Sequence, residues 1–198
     1  MCGIFGVIAT NNNKYDIKTL QRVLRKVASL SESRGKDSSG ICFKNEQSES
    51  FSVLKSTEAI TGLLDSIEFQ NILNENLNLF KENQSKNFIS FGHSRLVTNG
   101  SQLSDENNQP VVKDDIVAIH NGIIVNVDEL WNNYPQIQRE YEIDTEVLLS
   151  LFRHNLTLGQ NSIVALQNAL NEIKGTVTTA IFPTDRNEAV FSTNNGSF

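Results

Sequence analysis

The second residue of the chain is a cysteine. With the initiator Met1 removed, Cys2 would carry a thiol and a free α-amine on one residue. The amine titrates at about 7.7–8.0, so it can take up a proton near neutral pH. The thiol is a weak nucleophile until it is deprotonated. Nucleophile and base on the same few atoms make a chemically competent pair. The same cysteine also reads as the residue that happens to precede a buried strand.

Three further polar stretches could carry chemistry. Arg95, in Gly92-His93-Ser94-Arg95-Leu96-Val97-Thr98-Asn99-Gly100, stands at a strand end before a polar loop. Its planar fork suits a carboxylate, although a lone Arg more often makes a structural salt bridge. Asn121 and Gly122, after His120, set a side-chain amide beside a backbone N–H, the donor pair of an oxyanion hole. Asn-Gly is equally the commonest dipeptide of a tight hairpin turn. Asp144, before Thr145 and Glu146, could accept from an ammonium, and it also has the position of a helix N-cap. His93, His120 and His154 lack the short-range spacing of metal ligands and are expected to be structural or to support the site from behind. Cys42 falls in a strand and reads as a core residue. No Gly-rich loop reads as a phosphate cradle. Neither a metal nor a cofactor is expected.

Bulk properties narrow the classes. The 198 residues, 38% hydrophobic, suffice for one domain with a sizeable core. A net charge of −6 without a Lys/Arg run argues against nucleic acid or an anionic membrane surface as partner. Two cysteines make no disulfide framework, and a reduced, cytoplasmic setting is expected. No apolar run approaches the roughly 20 residues of a membrane helix, and the short apolar start lacks the charged flank of a signal peptide.

The elements that must position these residues follow from periodicity. Residues 3–9 are a continuous apolar run, expected as a strand buried on both faces. Asp16 opens a helix to about Leu30, with Ile17, Leu20, Val23, Leu24, Val27 and Ala28 on its apolar face. Strands are expected at 40–44, 50–55 and 88–93, with an interrupted helical pattern over 57–80. The stretch 98–110 is a loop long enough to be functional. Strands at 111–112 and 116–120 flank a turn at Lys113-Asp114-Asp115. Helices follow at 127–133, 144–155 and 161–173, then strands at 175–182 and 188–193. Short connections between strands argue an antiparallel α+β fold.

Taken together, Arg95, Asp144 and the group Cys2, Asn121 and Gly122 could match the carboxylate, ammonium and carboxamide of glutamine. The chain resembles the glutaminase domain of the class II (N-terminal-nucleophile) glutamine amidotransferases. The resemblance spans residues 1–198. It rests on Met1-Cys2-Gly3-Ile4, Arg34-Gly35-x-Asp37-Ser38-x-Gly40, Gly92-His93-Ser94-Arg95 with Thr98, His120-Asn121-Gly122, and Asp144-Thr145-Glu146. It implies a four-layer αββα sandwich of two stacked, mostly antiparallel sheets. It implies Cys2 as nucleophile with its own amine as base, and Asn121 and Gly122 as the oxyanion hole. Arg95 would hold the α-carboxylate of L-glutamine and Asp144 its α-amine. Leu96, Val97 and Thr98 would line the substrate, and Arg34 would support the N-terminus from behind. The implied partner is a synthase domain or subunit that accepts ammonia, with sugar-phosphate amination the leading use. Leu96 and Asn99 depart from the aromatic residue and the His that the sugar-phosphate synthases carry there, so the acceptor stays open. A chain of this length is expected to lack the C-terminal part of the domain and any synthase domain. The competing readings are an N-terminal-nucleophile hydrolase of another amide and a non-catalytic regulatory domain.

Overall fold

The strand at the start of the chain alternates. In β1 (Gly3–Ala9) Gly3, Phe5 and Ala9 are buried while Gly6 and Ile8 face out. The apolar run had argued burial on both faces. The structure instead covers one face with a helix, and Ile8 stays about half exposed. The structure, a computed structural model, describes residues 2–10, 14–45, 50–82, 86–96, 107–186 and 188–194. These form two compact units, one from the described residues up to 96 with Asn108–Pro110, the other from Asn107 and the residues after Pro110.

The first unit is a four-stranded antiparallel sheet packed on three helices. Its strands are β1, β2 (Ser38–Asn45), β3 (Ser50–Ser56) and β4 (Phe88–Arg95), in the order β1-β4-β2-β3. Helix α1 (Ile17–Ser31) follows its sequence pattern, burying Leu20, Leu24 and Ala28. Val23 departs from the expected face and is exposed. Asp16 has the N-cap position without a side-chain cap; its carbonyl accepts the Thr19 and Leu20 amides. The interrupted pattern over 57–80 resolves into α2 (Ile60–Asp65) and α3 (Ile67–Lys81). The break falls at Ser66, whose hydroxyl accepts the Phe69 N–H at 3.1 Å and so caps α3. The core of this unit joins Phe5, Leu24, Ile41, Phe43, Leu73 and Phe88.

The second unit repeats the plan with β5 (Val111–Lys113), β6 (Ile116–Ile124), β7 (Gly175–Pro183) and β8 (Val190–Thr193), ordered β5-β6-β7-β8 and antiparallel throughout. Asp114 and Asp115, both at positive φ (51° and 58°), make the tight turn between β5 and β6. Helices α4 (Val127–Asn133), α5 (Thr145–Thr157) and α6 (Ser162–Glu172) complete the unit. α5 is buried nearly all round because it packs on both the sheet and α6. The α+β class expected from the short strand connections is what the chain adopts. The Asn121-Gly122 turn is not: both residues lie inside β6, paired with Thr178 and Val177, and the ladder runs on to Ile124 opposite Gly175. A turn was unnecessary there, since α4 to α6 make the connection to β7.

Candidate active site

In the first unit the strand register carries the first residues of the chain to the end of β4. Gly3 pairs with Ser94, which leaves Cys2 beside Leu96. The Leu96 N–H donates to Cys2 Sγ at 3.4 Å, and the thiol lies the same distance from the Leu96 carbonyl. The amide can donate to a thiol or a thiolate, whereas the carbonyl can accept only from the thiol. Arg34 donates from Nε to the Cys2 carbonyl at 2.9 Å. The Arg34 side chain is thus a brace on the backbone of residue 2.

Arg95, the last residue of β4, is buried. Its Nη1 donates to Asn108 Oδ1 at 2.7 Å, and Ser38 Oγ donates to the same oxygen at 2.8 Å. The Arg95 carbonyl accepts the Asp37 N–H at 3.0 Å. Leu96 is exposed. Val97 and Thr98, expected along the substrate, lie outside the described residues, as do residues 99–106 of the long loop. Sequence reasoning missed Ser38 and Asn108. The Arg34-to-Gly40 motif was the available signal for Ser38, and Asn108 had none but its place in the long loop.

In the second unit Asn121, Gly122 and Asp144 come together. Asp144 Oδ2 accepts the backbone N–H of Ile124 at 2.9 Å, two residues past Gly122. Its Oδ1 lies 3.8 Å from Nδ1 of His120, the residue before Asn121. Asp144 sits before α5 in helical conformation and makes no side-chain cap. The expected N-cap therefore gives way to a bond across to β6, and in the first turn of α5 the Glu146 N–H donates to the Ile143 carbonyl at 3.3 Å. Gly122 admits no side chain: a Cβ there would lie 1.8 Å from the Thr176 carbonyl oxygen and 2.7 Å from His120 Nε2.

His120 is buried, with Nδ1 3.1 Å from Thr145 Oγ1 and Nε2 3.4 Å from the Thr176 carbonyl. A carbonyl only accepts, so Nε2 carries the hydrogen and Nδ1 accepts from the Thr145 hydroxyl. Burial pushes the His120 pKa down, opposed in part by the Asp144 carboxylate and the Thr176 carbonyl. Next to Thr145, Glu146 is fully buried against Lys113: Nζ donates to Glu146 Oε1 at 2.5 Å and to the Gln138 carbonyl at 2.7 Å. The Glu146 carboxylate also accepts the N–H groups of Glu140 and Tyr141. It thereby fixes the chain entering Asp144, a role its place in the Asp-Thr-Glu motif hinted at but did not specify.

Cys42 is buried, and burial pushes its thiol pKa well up, as suits a core residue. Among the described residues no group of His, Cys, Asp and Glu could hold a metal ion, and no helix is long and apolar enough to cross a membrane. Neither Cys2 nor Cys42 forms a disulfide.

The fold of these two antiparallel-sheet units is shared with solved structures. Glutamine phosphoribosylpyrophosphate amidotransferase from Bacillus subtilis, solved with ADP and GMP, superposes on 97% of this chain (37% of its own) with a TM-score of 0.63 at 22% identity. A structure described as the allosteric regulatory enzyme of purine biosynthesis covers 98% of this chain (38% of its own) with a TM-score of 0.68 at 23% identity. In sequence, residues 93–196 match the family described as glutamine amidotransferase domain, and the chain belongs to that family. Relatives along the whole chain include glutamine–fructose-6-phosphate aminotransferases (isomerizing) from Acinetobacter baylyi (24% identical), Bacillus subtilis (29%) and Thermococcus kodakarensis (30%). The chain spans 29–30% of the length of these three relatives.

Proposed function

We propose that this chain hydrolyses the side-chain amide of L-glutamine to glutamate and ammonia through a γ-glutamyl thioester on Cys2. With Met1 removed, the Cys2 amine takes the thiol proton, directly or through one water. The thiolate attacks the carboxamide carbon. Asn121 and Gly122 donate to the oxyanion that forms. Ammonia departs with the proton held by the Cys2 ammonium, and water then hydrolyses the thioester, releasing glutamate and restoring the thiol. Arg95 receives the substrate α-carboxylate and Asp144 its α-amine. Leu96, Val97 and Thr98 flank the substrate, and Arg34 positions Cys2. No metal or cofactor has a part in these steps.

The observation that carries the reading is the setting of Cys2. It is the residue ahead of β1, its sulfur accepts the Leu96 amide at 3.4 Å, and Arg34 holds its carbonyl at 2.9 Å. The full-length relatives at 24–30% identity aminate fructose 6-phosphate by name. The ammonia is accordingly assigned to a synthase domain or subunit, with sugar-phosphate amination as its use, in a cytoplasmic, reducing setting. The test couples intact mass spectrometry, which must show Met1 removed, to a glutamate-release assay. Wild-type chain is expected to release glutamate and Cys2→Ala none. Substantial release by Cys2→Ala would end the proposal.

A further inference from the structure

The stretch Arg34-Gly35-Lys36-Asp37-Ser38-Ser39-Gly40 does more than present Arg34. It is moulded around Arg95 and the short segment Asn108-Gln109-Pro110. A Cβ on Gly35 would lie 2.4 Å from the Arg95 carbonyl carbon and 2.6 Å from the Leu96 nitrogen. A Cβ on Gly40 would lie 2.1 Å from the Gln109 carbonyl oxygen. Between the two glycines, Asp37 donates its N–H to the Arg95 carbonyl and Ser38 stands opposite Arg95 in the β2–β4 register. Both glycines are therefore close-approach positions, and what they let approach is Arg95 from one end and the 108–110 segment from the other.

The two meet at one atom. Asn108 Oδ1 accepts from Arg95 Nη1 at 2.7 Å and from Ser38 Oγ at 2.8 Å. Asn108 and Ser38 are fully buried and Arg95 nearly so. A carbonyl oxygen has two acceptor sites, and these two donors fill them. The Ser38 bond fixes the amide, and the amide fixes one arm of the guanidinium. Because the acceptor is neutral, it orients the fork without cancelling its charge. A carboxylate at the same place would satisfy the same two donors and compete with an incoming anion.

We propose that Asn108, held by Ser38, is a positioning residue that aims Arg95 at the α-carboxylate of the substrate and keeps its positive charge available for it. This rests on the assignment of Arg95 to the substrate carboxylate. The test uses the protein with Met1 removed and two amides: glutamine, and 4-aminobutanamide, the same molecule without its α-carboxylate. Losing the orientation of a charge-assisted pair is expected to raise KM for glutamine roughly ten- to hundredfold in Asn108→Ala, with kcat within about threefold of wild type. kcat/KM for 4-aminobutanamide should be unchanged. Asn108→Asp preserves both hydrogen bonds, so a role confined to holding the segment in place predicts wild-type kinetics for it. The proposal predicts a KM for glutamine raised at least tenfold. Ser38→Ala should raise KM in the same sense by a smaller factor, and it serves if Asn108→Ala does not fold. Wild-type KM for glutamine in Asn108→Asp, or an equal loss on both amides in Asn108→Ala, would overturn the inference. If Arg95→Ala itself leaves KM for glutamine unchanged while wild type still prefers glutamine to 4-aminobutanamide, the fault lies in the assignment of Arg95 rather than in Asn108.

Discussion

Asp144 Oδ2 accepts the backbone N–H of Ile124 at 2.9 Å. One carboxylate thus ties the start of α5 to the end of β6, and its second oxygen approaches His120 on the near side of Asn121. The two residues proposed as oxyanion donors lie between its two points of contact along the strand. Asp144 is at once a proposed substrate ligand and the strut of its neighbours.

The two roles separate by substitution. Asp144→Asn keeps an acceptor for the Ile124 amide and loses the charge. Its expected signature is a KM for glutamine raised about tenfold or more, with unfolding in urea little changed. Asp144→Ala also orphans the buried Ile124 N–H, which costs about 1–3 kcal/mol of stability. Equal effects of the two variants on both KM and stability would contradict this division.

Gly122 leaves no room for a methyl group. The obstacle is the Thr176 carbonyl on the paired strand, which cannot swing away as a side chain can. Gly122→Ala must push β6 from β7 at the proposed oxyanion donors. A fall in kcat of about 10²–10³ is expected, the size of losing one such donor. Circular dichroism would report whether the fold survives; a folded variant with wild-type kcat would remove Gly122 from the mechanism.

His120 gives a pH signature. Burial holds its folded pKa below that of the unfolded chain, about 6.5. As pH falls through that value the unfolded chain takes up the proton first. Stability from this group is therefore constant above about pH 7 and declines below 6.5, by up to about 1.4 kcal/mol per pH unit, until the folded imidazole is itself protonated. In His120→Gln this component is absent. The stability gap between wild type and variant, measured in urea at pH 7.5 and 5.5, should narrow at the lower pH. A gap independent of pH would show that His120 does not titrate in this way.

Lys113 and Glu146 form a buried pair whose loss from one side leaves a charge without its partner. Lys113→Met is expected to cost about 3–5 kcal/mol, read from the urea midpoint. Because Glu146 also holds the Glu140 and Tyr141 amides, the variant should raise KM for glutamine through Asp144 as well. A stability loss below about 1 kcal/mol would mean that the pair is dispensable.

The sequence showed the elements well where the apolar period was long. α1, α4, α5, α6 and the ends of β4 and β7 fall within a few residues of their expected places. It misjudged Asn121-Gly122, because turn propensity is local while strand pairing is not: Thr178 and Val177 decide that position from over fifty residues away. It misjudged Asp144 for the same reason, since the partner that replaces the cap is on β6. Cys2, Arg34 and Arg95 could be read from residue type and motif. Ser38 stood in the same motif as Arg34 but gave no sign of its partner, and Asn108 gave none at all, because a hydrogen bond between residues 70 positions apart leaves no trace in spacing. Lys113 looked like part of a surface turn until Glu146 supplied the countercharge.

The hairpin between β5 and β6 holds two aspartates, both at positive φ, where a side chain is tolerated rather than favoured. Arg153 compensates by donating to the carbonyls of Asp114 and Asp115 and to the Asp185 carboxylate. An Asn-Gly pair would take the same backbone without that help. The molecule thus holds an unspent reserve of thermal tolerance at a site with no assigned part in catalysis. An engineer could draw on it to offset the stability lost to substitutions around Asp144, releasing Arg153 from the task of holding a corner.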